Sequence, residues 1–220
     1  MKICGIDEAR RGPVIGPMVI SGILIDDSNS AELKKIGVKD SKLLTPKQRE
    51  ALFPKIKKLV ENYKVIIISA QEIDSRASVG LNINQLEALK AAEIIKDLKP
   101  DIAYVDSPTS PRASKFAEMI RASLPKDLHV DIIAEHKADV NHVEVGAASI
   151  LSKVTGDEEV EKIRKEIGLD FGSGYPADPI TMGFVREHWE NKLAKYIRHS
   201  WGTIKDLEKK KGQSKLDFND

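Results

Sequence analysis

Cysteine is nearly missing from this chain: Cys4 is the single one in 220 residues. That excludes an internal disulfide framework and any zinc site built from several cysteines. Flanked by Ile3, Gly5 and Ile6, Cys4 reads as a small buried hydrophobe in a strand. Long apolar runs are missing too. No stretch of about 18 apolar residues exists to span a bilayer, so no membrane partner is expected. The first twelve residues, MKICGIDEARRG, hold no apolar core of a secretory signal. Together with the reduced thiol, this predicts a cytoplasmic protein. An excess of one charge is also absent, since 35 basic and 34 acidic side chains leave a net +1. Any nucleic-acid partner must therefore be held by local patches. Aromatics are scarce at 5%, whereas 41% of residues are hydrophobic and 31% charged. Such a composition excludes a disordered tail or a collagen-like rod.

What is present is a pattern of short apolar strands and amphipathic helices, without repeats or a low-complexity linker before about residue 205. Lys2 to Ile6 and Val14 to Ile25 read as strands, separated by the turn-forming stretch DEARRGP. Val65 to Ser69 is a third, too short and β-branched for a helix. Before it, Thr45-Pro46 opens a helix with a hydroxyl cap and a proline at the first helical position. Leu52, Ile56 and Leu59 mark its buried face, and Pro54 is expected to kink or shorten it. Alternation follows: a helix over 82–98 with Ile83, Leu86, Leu89 and Ile94 as its apolar members, then a strand over 102–105. A helix over 113–123, a strand over 130–134 and a helical pattern over 141–167 complete it. This order predicts an α/β fold, a mixed sheet flanked by helices, with the later strands added in parallel through right-handed crossovers.

Three of these strands run toward a carboxylate: ICGI into Asp7 and Glu8, IAYV into Asp106, and VDIIA, a few residues on, into Asp139. One acid at a strand end is ordinarily a turn former or a helix cap. Three such sites on neighbouring strands are different, because the ligand crevice of an open α/β sheet lies beyond the carboxyl ends of its strands. Carboxylates gathered there repel and raise one another's pKa unless they share a cation. An oxygen-only donor set selects a hard ion, Mg²⁺ or Mn²⁺, and four carboxylates can hold two ions about 3.5–4 Å apart. Asp7 and Glu8 would face opposite sides of a regular strand. The backbone is therefore expected to leave the strand at Glu8.

Six blocks, DEARRGPVIGP at 7–17, VKDSKLL at 38–44, YVDSP at 104–108, AEHKAD at 134–139, GAASILSKV at 146–154 and FGSGYPADP at 171–179, resemble in order the motif set of type 2 ribonuclease H of the archaeal kind. The resemblance implies an RNase H-like mixed five-stranded sheet flanked by helices, with a small helical C-terminal extension. It implies an endonuclease that cuts RNA in RNA–DNA hybrids, and cuts 5′ of ribonucleotides embedded in duplex DNA, with a role in replication and repair. It also implies a monomer using two metal ions and leaving 5′-phosphate and 3′-hydroxyl ends. Asp7, Glu8, Asp106 and Asp139 match the family's metal-binding acids, the same four chosen above. His136 lies close to Asp139 in sequence but reads as a surface or structural histidine.

A hybrid-specific enzyme must detect the 2′-hydroxyl that distinguishes RNA from DNA. The resemblance assigns this to a turn, here Arg10-Arg11-Gly12, and to Tyr175. Lys39, Ser41 and Lys42, with Ser149 and Lys153, resemble the family's phosphate contacts; Ser149 and Lys153, four apart, share a helix face. The expected organisation is a catalytic domain over 1–180, a helical extension over 181–212 containing Trp189 and Trp201, and a tail over 213–220. The tail resembles a shortened peptide of the kind that binds the sliding clamp.

The turn holds the one clear departure, because the family reads Gly-Arg-Gly where this chain has Arg10-Arg11-Gly12. Glycine permits positive φ and close approach of a ligand to the backbone. Arginine there predicts weaker ribose reading with the chemistry intact, unless Arg10 keeps an ordinary φ and turns its side chain outward to a phosphate. Two other functions fit the same acids less well. A resolvase- or transposase-type nuclease would cut all-DNA substrates, and a binding module would have lost turnover although all four acids remain.

Overall fold

A computed structural model of the chain describes residues 1–108, 112–207 and 209. Its five strands are β1 (Lys2–Ala9), β2 (Met18–Asp26), β3 (Asn62–Ile68), β4 (Ile102–Asp106) and β5 (Asp131–Glu135). They form one sheet in the order β3-β2-β1-β4-β5. β1 pairs antiparallel with β2 and parallel with β4, and β4 pairs parallel with β5. The mixed five-stranded sheet and its parallel second half match the sequence expectation. Helices α1 (Ser30–Lys35), α2 (Pro46–Leu59), α3 (Ala70–Ser78), α4 (Ile83–Leu98), α5 (Ala113–Ala122), α6 (Ala138–Asn141), α7 (Val143–Ile167) and α8 (Pro179–His188) complete the α/β fold. Among the described residues, no helix is long and apolar enough to cross a membrane.

Local chemistry explains most of the boundaries. Thr45 caps α2 in a capping box with Gln48, and Asn82 caps α4 in the same way with Gln85. Pro54 neither ends nor shortens α2, which continues to Leu59 because Leu52 and Ile56 anchor both sides of the proline in the core. β2 begins at Met18 rather than Val14. Pro13 and Pro17 offer no N–H to a ladder, Gly16 has a φ of 87°, and Ile15 makes only an isolated bridge to Ile197. On α4, Leu89 is exposed and alanines 88, 91 and 92 take the buried face with Ile94, Ile95 and Leu98. Ser69 caps α3, a helix the strand-like reading of VIIIS did not extend to.

The chain forms two compact units, each discontinuous in sequence. The first comprises residues 1–9, 19–67 and 82–157 and contains nearly all of the sheet. Its aliphatic core joins Ile23 and Ile25 of β2, Leu52 and Ile56 of α2, and Ala147, Ile150, Leu151 and Val154 of α7. Gly5 lets α7 come this close. A Cβ added there would lie 2.1 Å from the carbonyl carbon of Glu144, so only glycine fits. The second unit comprises residues 10–18, 68–81 and 158–220. Its core gathers Val14, Ile15, Val160, Ile163, Phe171, Phe184, Val185, Ile197 and Ile204. Its C-terminal part begins at Glu158, and it also includes the turn at 10–18.

Candidate active site

In the first unit, the ends of two adjacent parallel strands bring three carboxylates together. One oxygen each from Asp7, Glu8 and Asp106 lie within 4.8 Å of one another. The chain does not leave the strand at Glu8 as expected. Glu8 stays paired opposite Ile20, and β1 ends at Ala9. Instead, Asp7 folds back to accept the Glu8 N–H at 2.8 Å, and the longer glutamate side chain supplies the remaining reach. Asp139, on α6, is outside this group of three but tied to it. The Ala138 N–H donates to Asp106 Oδ1 at 2.7 Å, which sets the first turn of α6 against the end of β4. Asp139 is 4% exposed, and its Oδ1 is buried without a hydrogen-bond partner.

Electrostatics mark this as a place that resists negative charge. Burial, then the charges of Glu8 and Asp106, holds the Asp7 carboxyl well above its usual range. Burial also raises Asp106, with the Asp139 charge adding to it and the Ala138 N–H opposing. Buried acids with raised pKa values, and a buried carboxylate oxygen lacking a donor, fit a hard divalent cation bound by oxygen ligands.

Beneath Asp7 lies a polar network. The Ser149 side chain hydrogen-bonds to Asp7. Ser41 Oγ is 2.8 Å from Ser149 Oγ, and Lys153 Nζ donates to both hydroxyls. Ser41 and Ser149 are fully buried. Their hydroxyls face this network rather than the surface, unlike the phosphate contacts expected of them. Burial lowers the Lys153 pKa, partly offset by the Asp7 charge. Lys39 and Lys42 are exposed, and Lys42 Nζ lies 3.4 Å from Asp139 Oδ2. His136 is exposed, with Nδ1 3.4 Å from the Ser107 carbonyl, consistent with a surface histidine. A feature missed in the sequence is the stack of Tyr104 on His142 at 3.8 Å, with His142 Nε2 3.1 Å from Glu135.

The second unit holds the expected sugar-reading residues. Tyr175 is 44% exposed, and a Cβ added at Gly12 would sit 3.3 Å from its ring, so one edge of the ring lies close beside Gly12. Arg10 has a φ of 58°. It therefore adopts the glycine-type conformation rather than an ordinary φ, and its Nη2 donates to the Ser173 carbonyl at 3.3 Å. Arg198 is fully buried beside this turn, its pKa drawn down to about 9 by burial and then by the Arg10 charge. That value still leaves it cationic at neutral pH. Sequence reading passed over Arg198, whose only signal was a cation set between Ile197 and Trp201 in YIRHSW. Residues 213–220 lie outside the described residues, and with them the expected clamp-binding peptide.

Comparison with known proteins supports the same chemistry. The family model for ribonuclease HII matches residues 4–204. The ribonuclease HII of Pyrococcus furiosus is 44% identical over 225 residues, covering 99% of this chain and 97% of the relative. The crystal structure of ribonuclease H2 from Pyrococcus horikoshii OT3 superimposes with a TM-score of 0.84 at 41% identity, covering 96% of this chain and 98% of that one. The ribonuclease HII of Archaeoglobus fulgidus, solved in complex with PCNA, gives 0.76 at 38% identity, covering 91% and 95%. With the acids converging at the ends of β1 and β4, and the match running almost the full length, the chain belongs to the ribonuclease HII family, RNase H-type nucleases that hydrolyse the RNA of RNA–DNA hybrids.

Proposed function

We propose that the protein cuts RNA–DNA hybrids and also cuts 5′ of single ribonucleotides embedded in duplex DNA, with Asp7, Glu8, Asp106 and Asp139 holding two divalent ions, Mg²⁺ or Mn²⁺. The observation that carries this reading is the convergence of three carboxylates within 4.8 Å, two of them with raised pKa values. Such ions, when bound, activate a water and neutralise charge on the scissile phosphate. The residues of the chain do the rest. Ser149, Ser41 and Lys153 fix the Asp7 carboxylate from below. The Ala138 N–H fixes Asp106. Water adds to phosphorus and the P–O3′ bond breaks; the departing O3′ takes a proton, leaving 3′-hydroxyl and 5′-phosphate ends. Exposed Lys39 and Lys42 contact the phosphates, which gives binding its salt dependence.

Sugar reading belongs to Arg10, Arg11 and Gly12 with Tyr175, whose exposed ring lies close beside Gly12. The fit of this activity is primer removal and excision of misincorporated ribonucleotides during replication and repair. A relative solved with PCNA supports a sliding-clamp contact, which we assign to residues 213–220. A single gel tests the activity, using labelled all-DNA, hybrid and single-ribonucleotide duplexes with Mg²⁺. We expect cleavage of the last two only, and a loss of at least about 10²–10³-fold in Asp7→Asn or Asp106→Asn while hybrid binding survives. Cutting of all-DNA duplex would favour a resolvase-type nuclease, and full activity in either variant would refute the metal assignment.

A further inference from the structure

Among the described residues Arg198 is the largest fully buried side chain, and its whole guanidinium is committed to one short segment. Nε donates to the Gly16 carbonyl at 2.9 Å, Nη1 to the Arg11 carbonyl at 2.8 Å and Nη2 to the Arg10 carbonyl at 2.8 Å. Three residues on, Trp201 Nε1 donates to the Gly12 carbonyl at 3.3 Å. The carbonyls of residues 10, 11 and 12 are thus all held by Arg198 and Trp201. The Arg198 and Arg76 guanidiniums each lie 5.0 Å from the Trp201 ring, which keeps the indole in place. Backbone pairing closes the arrangement, with the Arg198 N–H on the Val14 carbonyl and the Gly16 N–H on the Tyr196 carbonyl, both at 2.8 Å.

Two physical points give this a purpose beyond packing. Arg10 is a non-glycine residue at a φ of 58°, a conformation that persists only where the surroundings over-determine it. Holding the carbonyls of 10–12 on one side also fixes the peptide planes, and so the directions in which this turn can offer its own groups to a ligand. Lysine could not substitute, because it lacks the planar fork that bonds three carbonyls at once.

We infer that Arg198, seconded by Trp201, is the positioning residue for the sugar-reading turn, holding Arg10-Arg11-Gly12 in the strained shape that distinguishes a ribonucleotide from a deoxynucleotide. This rests on the proposed reading of that turn as the ribose sensor. The test is binding in EDTA, so that no metal or turnover contributes. Affinities are measured for a duplex with one ribonucleotide and for the all-DNA duplex of the same sequence, with thermal denaturation alongside. In Arg198→Lys the affinity ratio should fall about tenfold, with all-DNA binding little changed. Arg10→Gly, which removes the need to hold a strained arginine, should recover more of the ratio in the Arg198→Lys background than it adds to the unmodified protein.

If Arg198→Lys does not fold, Trp201→Phe, which keeps the ring and drops only the bond to Gly12, must still lower the ratio. A ratio unchanged in the folded variants, whatever happens to Tm, would make Arg198 an ordinary core residue and overturn the inference. An unmodified protein without preference for the ribonucleotide would instead refute the sugar-reading assignment itself, and this inference with it.

Discussion

Position 10 is where a single residue is expected to alter recognition without touching the chemistry. Arg10 lies three residues after Asp7 in sequence, yet it belongs to the other compact unit and takes no part in the carboxylate cluster. Its φ of 58° costs about 1–2 kcal/mol in a residue with a β-carbon. The alternative of an ordinary φ with the side chain turned outward is not what the turn adopts, since the guanidinium bonds the Ser173 carbonyl. Arg10→Gly should therefore raise kcat/KM severalfold on a duplex with one ribonucleotide, and less on a long hybrid where many 2′-hydroxyls are offered. Steady-state rates on the two substrates check this. Equal gains on both would take position 10 out of sugar reading.

At the level of elements, the decisive contact is between β1 and the start of α7. Gly5 admits α7 to van der Waals distance of the strand that carries Asp7 and Glu8, and α7 in turn presents Ser149 and Lys153 beneath Asp7. Gly5→Ala would place a methyl 2.1 Å from the Glu144 carbonyl carbon and must push the helix away. Overpacking of this kind costs about 1–3 kcal/mol, or about 2–12 °C in Tm for a chain of this size. Hybrid cleavage should fall with it, because the network under Asp7 moves with the helix. A Gly5→Ala protein with unaltered Tm and activity would show that α7 does not support the acids.

For the whole molecule, the acid cluster should make stability depend on pH and on divalent ions. Asp7 and Asp106 have folded-state pKa values above those of the unfolded chain. Their contribution to stability is thus fully present below the unfolded value of about 3.9 and is lost as pH rises through the folded values. Metal-free protein should lose Tm over that window, and Asp7→Asn should lose less. Mg²⁺ or Mn²⁺ should restore Tm at neutral pH and do so weakly near about pH 5, where protons compete for the ligands. Melting curves with and without EDTA measure this, and an Asp7→Asn curve that tracks the parent at every pH would refute it. Deleting residues 213–220 should leave cleavage of short duplexes unchanged and abolish clamp binding in a pull-down; retained binding would place the contact elsewhere.

Much of this molecule was determined by sequence alone. Period-two and helical patterns located all five strands and the principal helices, because burial of apolar faces is a local demand that residue order records directly. Asp7, Glu8 and Asp106, whose oxygens the fold brings within 4.8 Å of one another, were legible as carboxylates at strand ends, whereas Asp139 stands outside that group of three. Other features were decided only by tertiary structure. Ser41 and Ser149 resemble phosphate contacts in sequence, and only the packing of α7 sets their hydroxyls in a buried network with Asp7 and Lys153. Glu8 could remain in the strand because its reach toward Asp106 depends on side-chain length, not on strand parity. Arg198 lies 188 positions from the Arg10 carbonyl it holds. No pattern of neighbours along the chain encodes such a bond, because a buried guanidinium finds its carbonyls through the fold and not through the sequence around it.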